Sequence, residues 1–143
     1  MRLIYAALLL CSINVLADSS LAVSVTNGEI RQPMPGRTVT AGYLTLHNQS
    51  TQAIILTGAS SPAFARTELH QHSHKDGMMR MEKVEQITVD AGGSVEFVPG
   101  GLHLMFFEPA AALEVEQTVP LSLQFSNGQE LMLTLPVVAM PKR

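Results

Sequence analysis

Beyond Ala17, no apolar pattern at helical period runs past about ten residues without meeting a Gly or a Pro, and a helix is seldom legible in fewer residues than that. A chain so punctuated has to build its core from strands. Alternating or β-branched runs recur at 22–26, 38–48, 53–60, 65–72, 78–84, 94–98, 102–108, 119–125 and 130–138. Between them stand turn formers: Asn27-Gly28, Met34-Pro35-Gly36, Asp76-Gly77, Ala91-Gly92-Gly93, Pro99-Gly100-Gly101 and Asn127-Gly128. Asn127-Gly128 separates two alternating runs, Leu121 to Phe125 and Leu131 to Leu135, and suits the positive φ of a type I′ turn, so a hairpin is predicted there. Strands and turns at this spacing predict an all-β fold, an antiparallel sandwich or barrel.

With 143 residues the chain has room for one ordinary domain. Hydrophobic residues make up 46%, too many for a disordered chain. The formal charge of -3, without a basic run, offers no electrostatic footprint for nucleic acid or an anionic membrane. No repeat, low-complexity tract or linker divides the sequence.

Residues 1–17 read as an address. Arg2 precedes Leu3-Ile4-Tyr5-Ala6-Ala7-Leu8-Leu9-Leu10, and Val15-Leu16-Ala17 closes the segment with small residues. That order is a secretory signal peptide, cleaved after Ala17, with one domain over residues 18–143. The apolar stretch falls short of the roughly 20 residues a spanning helix needs, which makes an anchor the weaker reading. Cys11, the one cysteine, follows Leu10 where lipoprotein processing wants a small residue, and it leaves with the signal. The exported domain then has neither disulfide nor thiolate, so a metal there has to be held by His, Met, Asp or Glu.

Trp is absent, while Met reaches 8 and His 5. Thioethers and imidazoles gather in two stretches, Glu68 to Met81 and Pro99 to Met105. In a strand, alternate side chains share a face, which aligns His70, His72 and His74, Met79 with Met81, and His103 with Met105. A hairpin at Lys75-Asp76-Gly77 sets either His70 or His72 opposite Met81, depending on loop length. His103-Leu104-Met105 on a neighbouring strand completes a four-donor cluster. Two imidazoles and two thioethers form a neutral, soft set that favours Cu(I) over Ca, Mg or structural Zn.

Each piece has a plainer reading. Met81 and Met105 taken singly would serve as core fillers, and Met34 and Met132 are assigned to packing. His103, among Leu102, Leu104 and Met105, would be a buried, hydrogen-bonded histidine. The His70-His72-His74 run would be a solvated face, and His47 a surface or capping residue. The paired glycines are turns, since neither opens a helix with a following Lys-Ser/Thr.

His70, ten residues, Met81, twenty-one residues, His103, one residue, Met105: this order resembles the copper-binding signature of the periplasmic copper chaperone PCu(A)C family. Further similarity lies in Ala41-Gly42-Tyr43-Leu44-Thr45-Leu46-His47-Asn48, Gly58-Ala59-Ser60-Ser61-Pro62, Glu68-Leu69-His70, Gly77-Met78-Met79-Arg80-Met81 and Pro99-Gly100-Gly101-Leu102-His103-Leu104-Met105, and it covers Gly28 to Val138. The resemblance implies a cupredoxin-like antiparallel Greek-key β-sandwich with a shallow, partly exposed Cu(I) site of His70, Met81, His103 and Met105. Where family members commonly carry a Met close after the first His, this chain has His72 and His74, read as auxiliary ligands with Cu(II) as their expected ion. The implied role is periplasmic: a monomer that carries copper and helps deliver it to the binuclear centre of cytochrome c oxidase subunit II, alongside Sco-type thiol proteins. A blue-copper electron carrier would require a cysteine thiolate, and a zinc hydrolase a motif such as HExxH, so neither is expected and no enzymatic activity is. Competing readings are a periplasmic copper storage or resistance protein and a non-metal β-sandwich interaction module.

Overall fold

Burial follows the alternation of the sequence. Along Val39–Asn48, residues Thr40, Gly42, Leu44, Leu46 and Asn48 are buried while their neighbours are not, as a strand with one face on a core requires. The computed structural model describes residues 22–142, and the signal segment expected at 1–17 lies outside the described residues. Its strands are β1 (Val23–Arg31), β2 (Val39–Asn48), β3 (Ile54–Ser60), β4 (Phe64–Lys75), β5 (Met78–Lys83), β6 (Ile87–Val89), β7 (Ser94–Phe97), β8 (Leu102–Pro109), β9 (Thr118–Phe125) and β10 (Glu130–Val138). Among the described residues no helix is long and apolar enough to cross a membrane.

The strands join in the order β5-β4-β8-β7-β2-β1-β10-β9-β3-β6. This hydrogen-bonded sheet folds over on itself. Inner residues of the first half (Ile30, Leu44, Leu46, Leu69, Phe97, Leu104, Phe106) share one core with those of the second (Leu56, Val89, Val119, Leu121, Leu123, Phe125, Leu135, Val137). Burying each such Leu or Phe contributes about 1.5–3 kcal/mol, which holds the two layers together. Asn48 ties them at one end: its amide donates to the carbonyls of Gln52, Val89 and Asp90. The all-β expectation holds, and most pairings are antiparallel. Two are parallel, β1 on β10 and β7 on β8. β7 and β8 lie end to end along β2, which pairs Leu44–His47 with the former and Val39–Gly42 with the latter.

Local departures from expectation have physical reasons. Asn27-Gly28 is not a turn: Asn27 has φ 53, the β1–β2 register shifts between Thr26 and Glu29, and the strand continues through this bulge to Arg31. The β9–β10 hairpin forms, yet not around a type I′ turn. There the Gly128 amide donates to the Phe125 carbonyl and Gly128 alone takes a positive φ of 84, giving a type I turn closed by a glycine bulge. β6 spans only 3 residues, too short to show alternation. The type I′ geometry appears elsewhere, at Asp76 (φ 54) and Gly77 (φ 74) between β4 and β5.

Candidate metal centre

That tight turn sets the geometry of the site. With Asp76 and Gly77 as the loop, Lys75 pairs with Met78, His74 with Met79, His72 with Met81 and His70 with Lys83. Of the two registers open from the sequence, the shorter loop is formed, and His72 stands directly across from Met81. On the other side of β4, His70 pairs with His103 and Glu68 with Met105. Leu69 and Leu104, which pair with each other, fill the core. Glu68, His70, His72, His103 and Met105 therefore share the sheet face turned away from the core. Met81 is 49% exposed on edge strand β5 and Met105 is half-buried, so neither is a core filler. Met34 and Met132, assigned to packing, are exposed as well, at 53% and 76%.

His103 departs from the expected shallow site in being buried, at 2% exposure. The His72 and His70 rings flank it, with centroids 5.0 and 5.9 Å away. Its Nδ1 donates to the Gly101 carbonyl at 3.0 Å, which fixes the proton on Nδ1 and leaves the Nε2 lone pair free. On His70 the assignment is reversed. Nε2 donates to Glu68 Oε2 at 2.7 Å, leaving the Nδ1 lone pair free. Arg66 Nε holds the other Glu68 oxygen at 2.8 Å while its guanidinium lies 4.1 Å from the Phe107 ring centre. The sequence carries Glu68 in the Glu68-Leu69-His70 landmark without a role for it, and its position two residues before His70 places both on one strand face.

His70 Nδ1 and His103 Nε2 are buried and have no hydrogen-bond partner. A buried polar atom left unpaired costs about 1–3 kcal/mol, and these two belong to a directly opposed pair. The other unpaired buried atoms, Thr67 Oγ1 and Ser73 Oγ, belong to residues at the inward positions of β4. Two preset imidazole lone pairs with oriented second nitrogens are what a metal ligand pair requires. Burial holds the His103 pKa below the ordinary 6.5 and outweighs the opposing Gly101 hydrogen bond, with His72 and His70 adding to the lowering. That lowering favours the neutral ring, the form able to coordinate. Among the described residues no three His, Cys, Asp or Glu side chains form a metal-binding group; the thioethers of Met81 and Met105 lie on the same face as the histidines. His74, further along β4, is exposed. His47 is bridged by Thr26 Oγ1 and Ser94 Oγ, each at 2.7 Å, on a different part of the surface.

The family model described as "Putative lipoprotein LpqE-like" matches residues 23–137. The chain belongs to this LpqE-like family. The Leifsonia xyli protein "Putative lipoprotein Lxx21020" is 30% identical over 103 residues, 71% of this chain and 62% of that protein. This LpqE-like chain spans less than two thirds of the length of the curated relatives it matches. In structure it is similar to the apo PCuAC domain from PmoF1, with TM-score 0.70, 17% identity and coverage of 83% of this chain and 95% of that one, a likeness of fold. It is similar also to the Cu(I) form of DR1885 from Deinococcus radiodurans, with TM-score 0.64, 28% identity and coverage of 87% and 82%.

Proposed function

We propose that this LpqE-like chain is a copper chaperone of the periplasm that binds Cu(I) through His70, Met81, His103 and Met105. It passes the ion to copper-accepting proteins such as cytochrome c oxidase subunit II or a Sco-type thiol protein. The observation that carries the reading is the pair of buried, unpartnered lone pairs on opposed His70 and His103. Thioethers on the same face supply neutral, soft donors suited to a monovalent copper ion. The Cu(I) form of the 28% identical Deinococcus radiodurans protein supports the same choice of metal, and the lipoprotein descriptions of the family and of the Leifsonia relative support an envelope location.

Neutral donors near solvent suit transfer. A partner's thiolates displace a thioether or imidazole one at a time, and in this chain His103 is the deepest donor and Met81 the most exposed. Release then starts at Met81 and ends at His103. Anaerobic titration of the chain with Cu(I) against a competing chelator tests the reading. One tight equivalent, lost when His70 and His103 are both replaced by Ala, is the expected result, and an undiminished affinity in that variant sinks it.

A further inference from the structure

The β4–β5 hairpin carries the same kind of pairing twice. His72 faces Met81, and one row nearer the tip His74 faces Met79. Both rows lie on the face that carries His70 and His103, because the inward positions of β4 are the odd ones around buried Leu69. Directly opposed residues have Cβ atoms about 4.5–5.5 Å apart, so an imidazole nitrogen and a thioether sulfur can reach one ion from two strands. Among the described residues, β5 pairs only with β4 and exposes Met78 and Met79 at 60% each and Met81 at 49%. An edge strand kept merely soluble would carry charges in these places.

We propose that His74 and Met79 form a second soft-metal site, a two-coordinate nitrogen and sulfur position for a monovalent coinage-metal ion at the hairpin tip. Both side chains are exposed and reach an incoming ion before the deeper donors do. Zinc or calcium would want more ligands, or oxygen ligands, than one His and one Met supply. Met78, paired with Lys75 on the other face, stays out of the site, and Lys75 itself is turned to Glu82 at 3.5 Å. Exposure falls from His74 through half-buried His72 to buried His103, so the tip stands at the solvent end of a ladder of donors. That continuity rests on the centre proposed above; the tip site does not.

Ag(I), added as the nitrate in chloride-free buffer, is a diamagnetic probe for both positions. It is titrated into the full chain carrying Cys11→Ser, which removes the one thiol, with the methionine methyl groups labelled for NMR. The first equivalent is expected to move the Met81 and Met105 methyls, and a second, weaker one to move Met79 while Met78 and Met132 stay in place. His74→Ala should weaken the second equivalent by at least about tenfold, the scale on which even supporting residues alter metal affinity, and leave the first unchanged. A second equivalent that leaves Met79 in place, or is indifferent to His74→Ala, overturns the tip site alone, as does the lack of any second equivalent. A first equivalent that leaves both Met81 and Met105 in place overturns the centre instead.

Discussion

Glu68 Oε2 lies 2.7 Å from His70 Nε2, and this one hydrogen bond leaves Nδ1 as the ring nitrogen without a partner. Glu68→Ala frees the ring to turn and to take the other tautomer. Cu(I) affinity is expected to fall by about 10–100-fold, the usual cost of losing such a supporting carboxylate, while the fold persists. Competition titration of both proteins checks it, and an equal affinity would detach Glu68 from the site. The His70 hydrogen bond holds the Glu68 carboxyl below its ordinary 4.5 against the effect of burial, with Arg66 and Lys83 assisting. Its contribution to stability is therefore present above pH 4.5 and disappears as pH falls through the lowered folded value.

His103 gives a pH dependence in a higher window. Its folded pKa lies below the ordinary 6.5, so between the two values the unfolded chain takes up a proton that the folded chain does not. Stability from this group is full above pH 6.5 and is lost as pH falls through the lowered folded value. Urea unfolding of the metal-free chain at about pH 7.5 and about pH 5.5 should show a lower midpoint at the acid end. His103→Gln should shrink that difference; an identical difference in parent and variant would place its source elsewhere.

Met81→Ala should weaken Cu(I) binding by about tenfold or more without unfolding the domain, since the side chain is 49% exposed. His47→Ala removes a histidine bound only to Thr26 and Ser94, and should bind copper as the parent does. Circular dichroism and chelator competition on the two variants separate a lost donor from a lost fold.

For Cu(II), nitrogen donors matter more. The His72 ring centre lies 5.0 Å from that of His103, and replacing His72 and His74 together by Ala should strip nitrogen from the electron paramagnetic resonance signal of the Cu(II)-loaded chain. An unchanged nitrogen-rich signal would show that neither ring holds Cu(II).

Gly42 tests the core independently. A Cβ there would lie 2.7 Å from Phe106 Cε2 and 3.2 Å from the Glu29 carbonyl oxygen, and Phe106 is fully buried against Phe64. Gly42→Ala should cost about 1–3 kcal/mol by overpacking, read as a lower urea midpoint, with Cu(I) affinity unchanged.

The strands were legible wherever alternation ran long enough, as in Thr38 to Asn48 or Glu130 to Val138. Ile87-Thr88-Val89 was too short to show it. Asn27-Gly28 misled because a dipeptide that permits positive φ serves a bulge as readily as a turn. His70, His72 and Met81 could be assigned to one face from their spacing, but which histidine meets Met81 depends on loop length, which is decided by the backbone at Asp76 and Gly77. The burial of His103 could not be distinguished from exposure, because Leu102 to Met105 has no polar partner to mark a period. Glu68 was visible as part of Glu68-Leu69-His70, but its part in orienting His70 depends on a side-chain hydrogen bond that residue spacing does not show.

The two faces of β4 and β8 divide labour residue by residue: Leu69, Leu104 and Phe106 face the core, while His70, His103 and Met105 face away from it. Donor identity on such a sheet is an exchangeable character. A lineage can trade a thioether for an imidazole on the outer face, and so change the side chains offered there, without renegotiating its hydrophobic interior. The His72 and His74 of this chain occupy outer positions of that kind, and the same freedom makes the scaffold a practical one on which to write new metal preferences by substitution.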